Sequence, residues 1–154
     1  MNEFDRVDDI GQKKAINIID KLFNNYKVEQ HLEGARTDID MTAYTQTSAV
    51  TYTIECKDRW NYTTTFLYEK GAMIEIEKFN SLQNKRVENS HNRAIYFNTT
   101  SDGYVVYDLT NVKHTDLNIE NLKRYKSTLH PEWGYKYQPC YVIPNKYIVK
   151  INKC

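Results

Sequence analysis

The sequence predicts a mixed α/β (α+β) fold in which a mixed central β-sheet is flanked by helices. An apolar stripe at helical spacing opens the chain, alternating β-rich segments follow it, and the order then returns to a helix and to further strands. A length of 154 residues without an internal repeat is typical of one domain. We therefore expect a single domain over 1–154, with a core over about 10–110 and a basic C-terminal extension over about 111–154.

The first half of the chain predicts a helix and a group of strands. Apolar residues recur every three or four positions within 10–26, which predicts a helix with one buried stripe. A short strand is expected over 26–32, and Gly34 ends it. Residues 37–45 and 50–58 both alternate and are rich in Thr, Tyr, Val and Ile, so each predicts a strand. Only four residues separate these two segments, which predicts a hairpin.

The middle of the chain predicts one loop, one helix and a second hairpin. Residues 59–70 show no clear period and are expected to form a loop or an irregular strand. Residues 73–83 carry apolar side chains at helical spacing and predict a helix. Two strands, 93–98 and 103–109, are expected to pair through a turn that contains Asp102.

The C-terminal part predicts a short helix and two strands. Asn118 is a suitable N-cap for a helix over 119–126. The strands are expected in the two β-rich segments that follow Pro139 and Pro144, and these prolines favour edge or terminal positions.

Charge is distributed unevenly along the chain. The formal net charge is +1, but residues 110–154 hold eight Lys and Arg against three acids, which leaves the rest of the chain acidic. The basic segment could bind a polyanion, although a solvated lysine face is an equally good interpretation. No apolar run approaches the roughly 18 residues that a membrane span needs, and the acidic first residues do not match a secretory signal. Three cysteines without CxxC spacing predict no disulfide framework, so we expect a reducing cytoplasm.

The first hairpin carries the charged residues of most interest. In the strand over 37–45, Asp38 and Asp40 share one face, and in the strand over 50–58 Glu55 and Lys57 share one face. If the antiparallel pairing is centred between residues 47 and 48, Asp40 lies opposite Glu55 and Asp38 lies opposite Lys57. Directly opposite side chains have Cβ atoms about 4.5–5.5 Å apart, close enough for two carboxylates to share a divalent ion.

Two interpretations of this polar face are open. Carboxylates beside a lysine are the groups needed for metal-assisted phosphodiester hydrolysis, in which Lys57 would orient water or neutralise charge. Alternatively, Asp38 and Asp40 form ordinary cross-strand ion pairs with Lys57 and Arg36 on a solvent-facing sheet.

The segment GARTDIDMTAYTQTSAVTYTIECKDRW, with an Asp followed by an E-x-K motif on the next strand, resembles the PD-(D/E)XK (restriction-endonuclease-like) nuclease superfamily. The resemblance covers about residues 10–85 and implies an αβββαβ core. It implies that Asp40 and Glu55 bind Mg²⁺ or Mn²⁺, that the backbone carbonyl of Cys56 is a further metal ligand, and that Lys57 is the catalytic lysine. Asp38 and Lys78 would be accessory residues, although Lys78 on the following helix is also well explained as an exposed charge.

The resemblance implies a metal-dependent endonuclease acting on DNA, such as a junction-resolving, repair or restriction-type enzyme, and many such enzymes are homodimers. A phage or mobile-element origin would suit such an enzyme. Residues expected to contact DNA are those in the basic C-terminal part and in the segment that follows the E-x-K motif: Arg36, Arg59, Trp60, Lys123, Arg124 and Lys126. Trp60 could stack on a base or anchor a loop on the core.

Two other functions are compatible with the same sequence. The first is a nuclease-like fold without catalytic activity that binds nucleic acid or protein. The second is a β-rich protein whose 13 tyrosines form a ligand-binding or assembly surface. No GxxxxGK[ST] or GxGxxG motif is present, so nucleotide-triphosphate and dinucleotide binding are not expected.

Overall fold

The computed structural model describes residues 17–18, 26–30, 41–45, 51–127 and 129–153. These residues form a mixed α/β fold with two helices and nine strands in two sheets. The helices are α1 (Thr64–Lys70) and α2 (Ile76–Glu88). The strands are β1 (Tyr26–Gln30), β2 (Met41–Thr45), β3 (Thr51–Arg59), β4 (Ala72–Glu75), β5 (Arg93–Thr100), β6 (Gly103–Asp108), β7 (Asn118–Tyr125), β8 (Tyr135–Ile143) and β9 (Ile148–Lys153).

The larger sheet has six strands in the order β1-β2-β3-β5-β6-β9. All neighbouring strands are antiparallel except β3 and β5, which are parallel and are joined through both helices and β4. The β2–β3 register pairs Met41 with Ile54 and Thr42 with Thr53, which is the register that the sequence predicted for the first hairpin. The predicted mixed sheet and the β5–β6 hairpin are therefore confirmed.

The smaller sheet has three strands in the order β4-β8-β7. Strand β4 pairs with residues 140–143 of β8, whereas β7 pairs with β8 along its whole length. Pro139 lies just outside the segment that pairs with β4, so its missing N–H interrupts no hydrogen bond to that strand.

The expectation of a loop or irregular strand over 59–70 is wrong, because α1 begins at Thr64. The Thr63 hydroxyl accepts a hydrogen bond from the backbone N–H of Phe66 and caps the helix. Gly71 ends the helix with φ +83°, and a Cβ at this position would lie 2.8 Å from the Ile143 carbonyl oxygen. The capping pattern was present in the sequence, but the short helix has no clear apolar period.

The helix predicted over 73–83 is partly wrong at its start, because 72–75 form β4 and the helix α2 begins at Ile76. Ala72 and Ile74 are buried, while Met73 and Glu75 are half-buried, which is the two-residue period of a strand. Phe79 and Leu82 are buried on α2, as the helical spacing predicted.

The short helix predicted over 119–126 is wrong, because these residues lie in or directly after β7. The segment has good helix formers, but eight residue pairs join β7 to β8. Tertiary pairing overrides local propensity at this position.

The core lies on both faces of the six-stranded sheet. One buried cluster packs the sheet against both helices and the smaller sheet, and it includes Leu67, Phe79, Tyr107 and Ile143. The second cluster lies on the opposite face and includes Ile54, Phe97 and Val106, with Ile18 and Cys56 packed against it. Residues 17 and 18 are helical, and the rest of the predicted helix over 10–26 lies outside the described residues.

Candidate active site

Alternation along β3 separates a polar from an apolar face. Ile54 is buried in the second cluster and the half-buried Cys56 packs against it. Glu55 points to the other face, against which α2 packs, and is only 5% exposed. Lys57 follows on the same face and is exposed. The strand thus carries a buried carboxylate directly beside an accessible lysine.

A cavity of about 120 Å³ lies against this polar face. Strands β3, β4, β5, β7 and β8 and the helix α2 all contribute to its wall. Its lining residues are Glu55, Cys56, Lys57, Asp58, Arg59, Met73, Ile74, Glu75, Lys78, Tyr96, Leu122, Arg124 and Cys140. The cavity therefore brings together residues that the sequence predicted for three roles. Glu55 and Lys57 were expected to be catalytic and Lys78 accessory, and Arg59 and Arg124 were expected to contact DNA.

Lys78 reaches the cavity from the first turn of α2. Its Nζ lies 3.2 Å from Oε1 of Glu55, and the two side chains are 52% and 6% exposed, respectively. A buried carboxylate is stable as an anion only when a cation or several donors satisfy it. The Lys78 ammonium provides one such charge, from a side chain that is itself exposed.

Arg59 holds one side of the cavity together. Its guanidinium donates to Asn98 Oδ1 at 3.3 Å, to the Tyr96 hydroxyl at 2.9 Å and to the Met73 carbonyl oxygen. The Tyr96 hydroxyl in turn donates to the same carbonyl at 2.8 Å. Burial raises the pKa of Tyr96, and the neighbouring Arg59 opposes part of that rise. These internal bonds make Arg59 a structural link between β3, β5 and β4.

Glu75 and Arg124 form a second ion pair in the cavity wall. Arg124 Nη1 lies 2.9 Å from Glu75 Oε1, and the Gln138 side-chain amide donates to Glu75 Oε2 at 3.0 Å. Cys140 is buried beside them, and this burial raises the pKa of its thiol. The sequence did not indicate Glu75, because a strand of four residues before a helix is too short to be recognised by its period.

The remaining predicted residues fall in three places. Asp38, Asp40 and Arg36 lie outside the described residues. Trp60 directly follows β3 and is 64% exposed, so it is not packed into the core as a loop anchor. Lys123 and Lys126, in and directly after β7, are exposed and do not line the cavity.

The described residues of the cavity supply some, but not all, of the oxygen ligands that a divalent metal ion would need. Among the residues that the structure describes, no group of three or more His, Cys, Asp or Glu side chains is close enough to hold a metal ion. Carboxylates with a backbone carbonyl are the ligands that Mg²⁺ prefers, and Glu55 and the Cys56 backbone at the cavity are of this chemical kind.

No protein-family model matches the chain, and no curated protein matches it significantly. Within the described part of the chain, neither helix is long and apolar enough to cross a membrane.

Proposed function

We propose that this protein is a divalent-metal-dependent nuclease that hydrolyses DNA phosphodiester bonds at the cavity on β3. The observation that carries the proposal is that a buried carboxylate, Glu55, and an exposed lysine, Lys57, lie two residues apart on one face of one strand. A desolvated carboxylate suits a hard cation, and an adjacent lysine suits an anionic substrate.

The strand register supports a second carboxylate at this site. Strand β2 ends its described pairing with Met41 opposite Ile54. This is the register for which the sequence predicts Asp40 opposite Glu55, and Asp40 itself lies outside the described residues. The expected metal ligands Asp40, Glu55 and the Cys56 carbonyl would then be neighbours across one hairpin.

The order of elements also supports the proposed nuclease family. Strands β1, β2 and β3 form an antiparallel meander, and β5 returns parallel to β3 after α1, β4 and α2, so that α1 and β4 are additions to the expected order. An αβββαβ core of the PD-(D/E)XK type requires three strands, a helix and a fourth strand in this order. The assignment to that superfamily is part of the proposal.

The protein side chains have separable roles in the proposed reaction. A bound Mg²⁺ or Mn²⁺ would supply a Lewis acid and an acidified water. Lys57 orients the attacking water or neutralises the charge that develops on the phosphate. Lys78 balances the Glu55 carboxylate when no other cation does, and Arg124 contributes positive charge to the cavity wall.

The test is cleavage of plasmid, linear duplex, single-stranded and four-way-junction DNA with Mg²⁺ or Mn²⁺. We expect Lys57→Ala and Asp40→Ala to reduce the cleavage rate by about 100-fold or more, since general acid–base and electrostatic groups each contribute at least that much. Lys70→Ala, which removes an exposed lysine from the last turn of α1, is the matched control and should cleave normally. Circular dichroism checks that each variant is folded. Undiminished cleavage by Lys57→Ala would refute the proposed site.

One observation favours an inactive nuclease-like binding module as a second candidate. The Lys78 ammonium already forms an ion pair with Glu55, so the carboxylate is partly neutralised without a metal ion. A binding module predicts DNA or protein binding without cleavage of any substrate and without a calorimetric signal for Mn²⁺.

A further inference from the structure

The hairpin of β7 and β8 extends beyond the part of the smaller sheet that β4 covers. Strand β4 pairs with residues 140–143 of β8, so among the residues that the structure describes 135–139 pair with β7 alone. We call residues 121–125 and 135–139 the hairpin arm. Residues that are directly opposite in an antiparallel pair share a face, and alternate residues point to opposite faces. The arm therefore has two distinct faces.

One face of the arm is turned to the cavity. Leu122 and Arg124, which alternate along β7, both line the cavity wall. Arg124 is anchored there by its ion pair with Glu75. The arm is thus attached to the proposed catalytic site through its inner face.

The outer face carries aromatic and basic side chains. The Tyr125 and Tyr135 rings stack with centroids 4.7 Å apart, and Lys123 Nζ lies 4.1 Å from the centroid of the Tyr135 ring. Tyr137 lies opposite Lys123 and is 69% exposed. Exposed rings of this kind interleaved with ammonium groups are typical of surfaces that bind single-stranded nucleic acid.

The charge of the hairpin matches an anionic partner. Residues 118–138 contain four basic and two acidic residues. Lys123 lies on the outer face with the tyrosines, whereas the exposed Lys136 lies opposite Arg124 and therefore belongs to the face turned to the cavity. A flat aromatic ring can stack only on a base that is not already stacked on both sides within a duplex. A protein partner would meet the same lysines, but it would not require flat rings beside them.

We propose that the outer face of the hairpin arm binds single-stranded DNA, with the exposed Tyr137 ring stacking on an unpaired base beside the Tyr125–Tyr135 pair and Lys123 contacting the phosphates. The inference rests on the proposed function, because it names the substrate class of the same protein: DNA that has a single-stranded segment next to the cleavage point. Binding itself requires neither the metal ion nor cleavage.

The test is fluorescence anisotropy with a labelled oligothymidine of about 12 nucleotides and a duplex of the same length, in EDTA. We expect the single strand to bind more tightly. Tyr137→Ala should weaken its binding about fivefold or more, as loss of one stacking platform predicts. Tyr68→Ala removes a half-exposed tyrosine from α1 and is the matched control, with no expected change. Lys123→Gln should lower the slope of log affinity against log salt by about 0.7.

Several outcomes would overturn the inference. These are equal binding of duplex and single strand, wild-type affinity in Tyr137→Ala, or a dimer that Tyr137→Ala dissociates in sedimentation while DNA binding is unchanged. The last result would assign the face to self-association.

The two proposals fail separately. Single-strand binding that depends on Tyr137, without cleavage of any DNA, refutes the nuclease and keeps the binding face. Cleavage that depends on Lys57, with binding indifferent to Tyr137, refutes the binding face and keeps the nuclease.

Discussion

The cavity wall and the hairpin arm both combine basic and aromatic side chains, but these side chains make different kinds of contact in the two regions. In the cavity wall, Arg59 and Tyr96 bond to each other and to one backbone carbonyl, and the buried Glu55 pairs with Lys78. On the arm, Lys123 and the tyrosines contact one another through ring faces and stay exposed. One region is held together by directed polar bonds, and the other presents its groups to solvent.

This difference indicates how each region can change without loss of the fold. Removal of one buried polar group leaves its partner without a hydrogen bond, so each substitution in the cavity wall destabilises the side chains that remain. An exposed ring or ammonium leaves no such partner. Substitutions in the cavity wall should therefore change both stability and activity, whereas substitutions on the arm should change binding alone.

The largest expected effect on stability is that of Arg59→Met. The substitution keeps an apolar stem but leaves Asn98 Oδ1 and one hydrogen-bonding position at the Met73 carbonyl without their donor. We expect the free energy of unfolding to fall by about 2–3 kcal/mol, measured by urea denaturation. Lys123→Met on the arm is the control and should change it by less than about 0.5 kcal/mol. Equal losses in the two variants would remove the distinction between the regions.

Much of the sheet could be predicted from the sequence because its signals are local. Alternation with Thr, Tyr, Val and Ile predicted the strand that is β3, and a hairpin centred between residues 47 and 48 has the register that is observed. The failures came from non-local pairing. The segment 119–126 has helical composition, but β7 forms on β8, and the residues before Ile76 form a strand because β8 also pairs with them.

The candidate site was predictable only along one strand. The E-x-K spacing identified Glu55 and Lys57, which do lie together at the cavity. Glu75, Tyr96 and Cys140 reach the same cavity from β4, β5 and β8, and nothing in their own sequence context indicates this. These residues lie together because the smaller sheet packs near α2 and β3. The periodicity of a single segment does not predict such packing.

A smaller effect with a distinct pH dependence is expected for Tyr96→Phe. At neutral pH the variant loses the hydroxyl that donates to the Met73 carbonyl, which should cost about 1 kcal/mol. Burial raises the pKa of Tyr96 above its unfolded value near 10, so the native state keeps a proton that the unfolded chain releases. This contribution to stability is complete below about pH 10 and is lost as the pH rises further. Tyr96→Phe has no such loss. The difference in free energy of unfolding between the wild type and this variant should therefore become smaller as the pH rises above about 10.

Urea denaturation of both proteins at about pH 7 and about pH 10.5 measures this narrowing. Tyr135→Phe on the arm is the matched control and should change stability by less than about 0.5 kcal/mol at neutral pH. A gap that stays constant or widens with pH would mean that the Tyr96 hydroxyl is not buried in the native protein.

The smallest expected effect is that of Lys78→Met, because Lys78 is the more exposed partner of its ion pair with Glu55. Solvent screens an ammonium that is 52% exposed, so the loss of stability should be about 1 kcal/mol or less. If Glu55 is a metal ligand, the Lys78 ammonium and a divalent cation compete for the same carboxylate. Mn²⁺ should then raise the melting temperature of Lys78→Met more than that of the wild type. Lys70→Met controls for the lost charge, and equal shifts in all three proteins would show that Lys78 and the cation do not share Glu55.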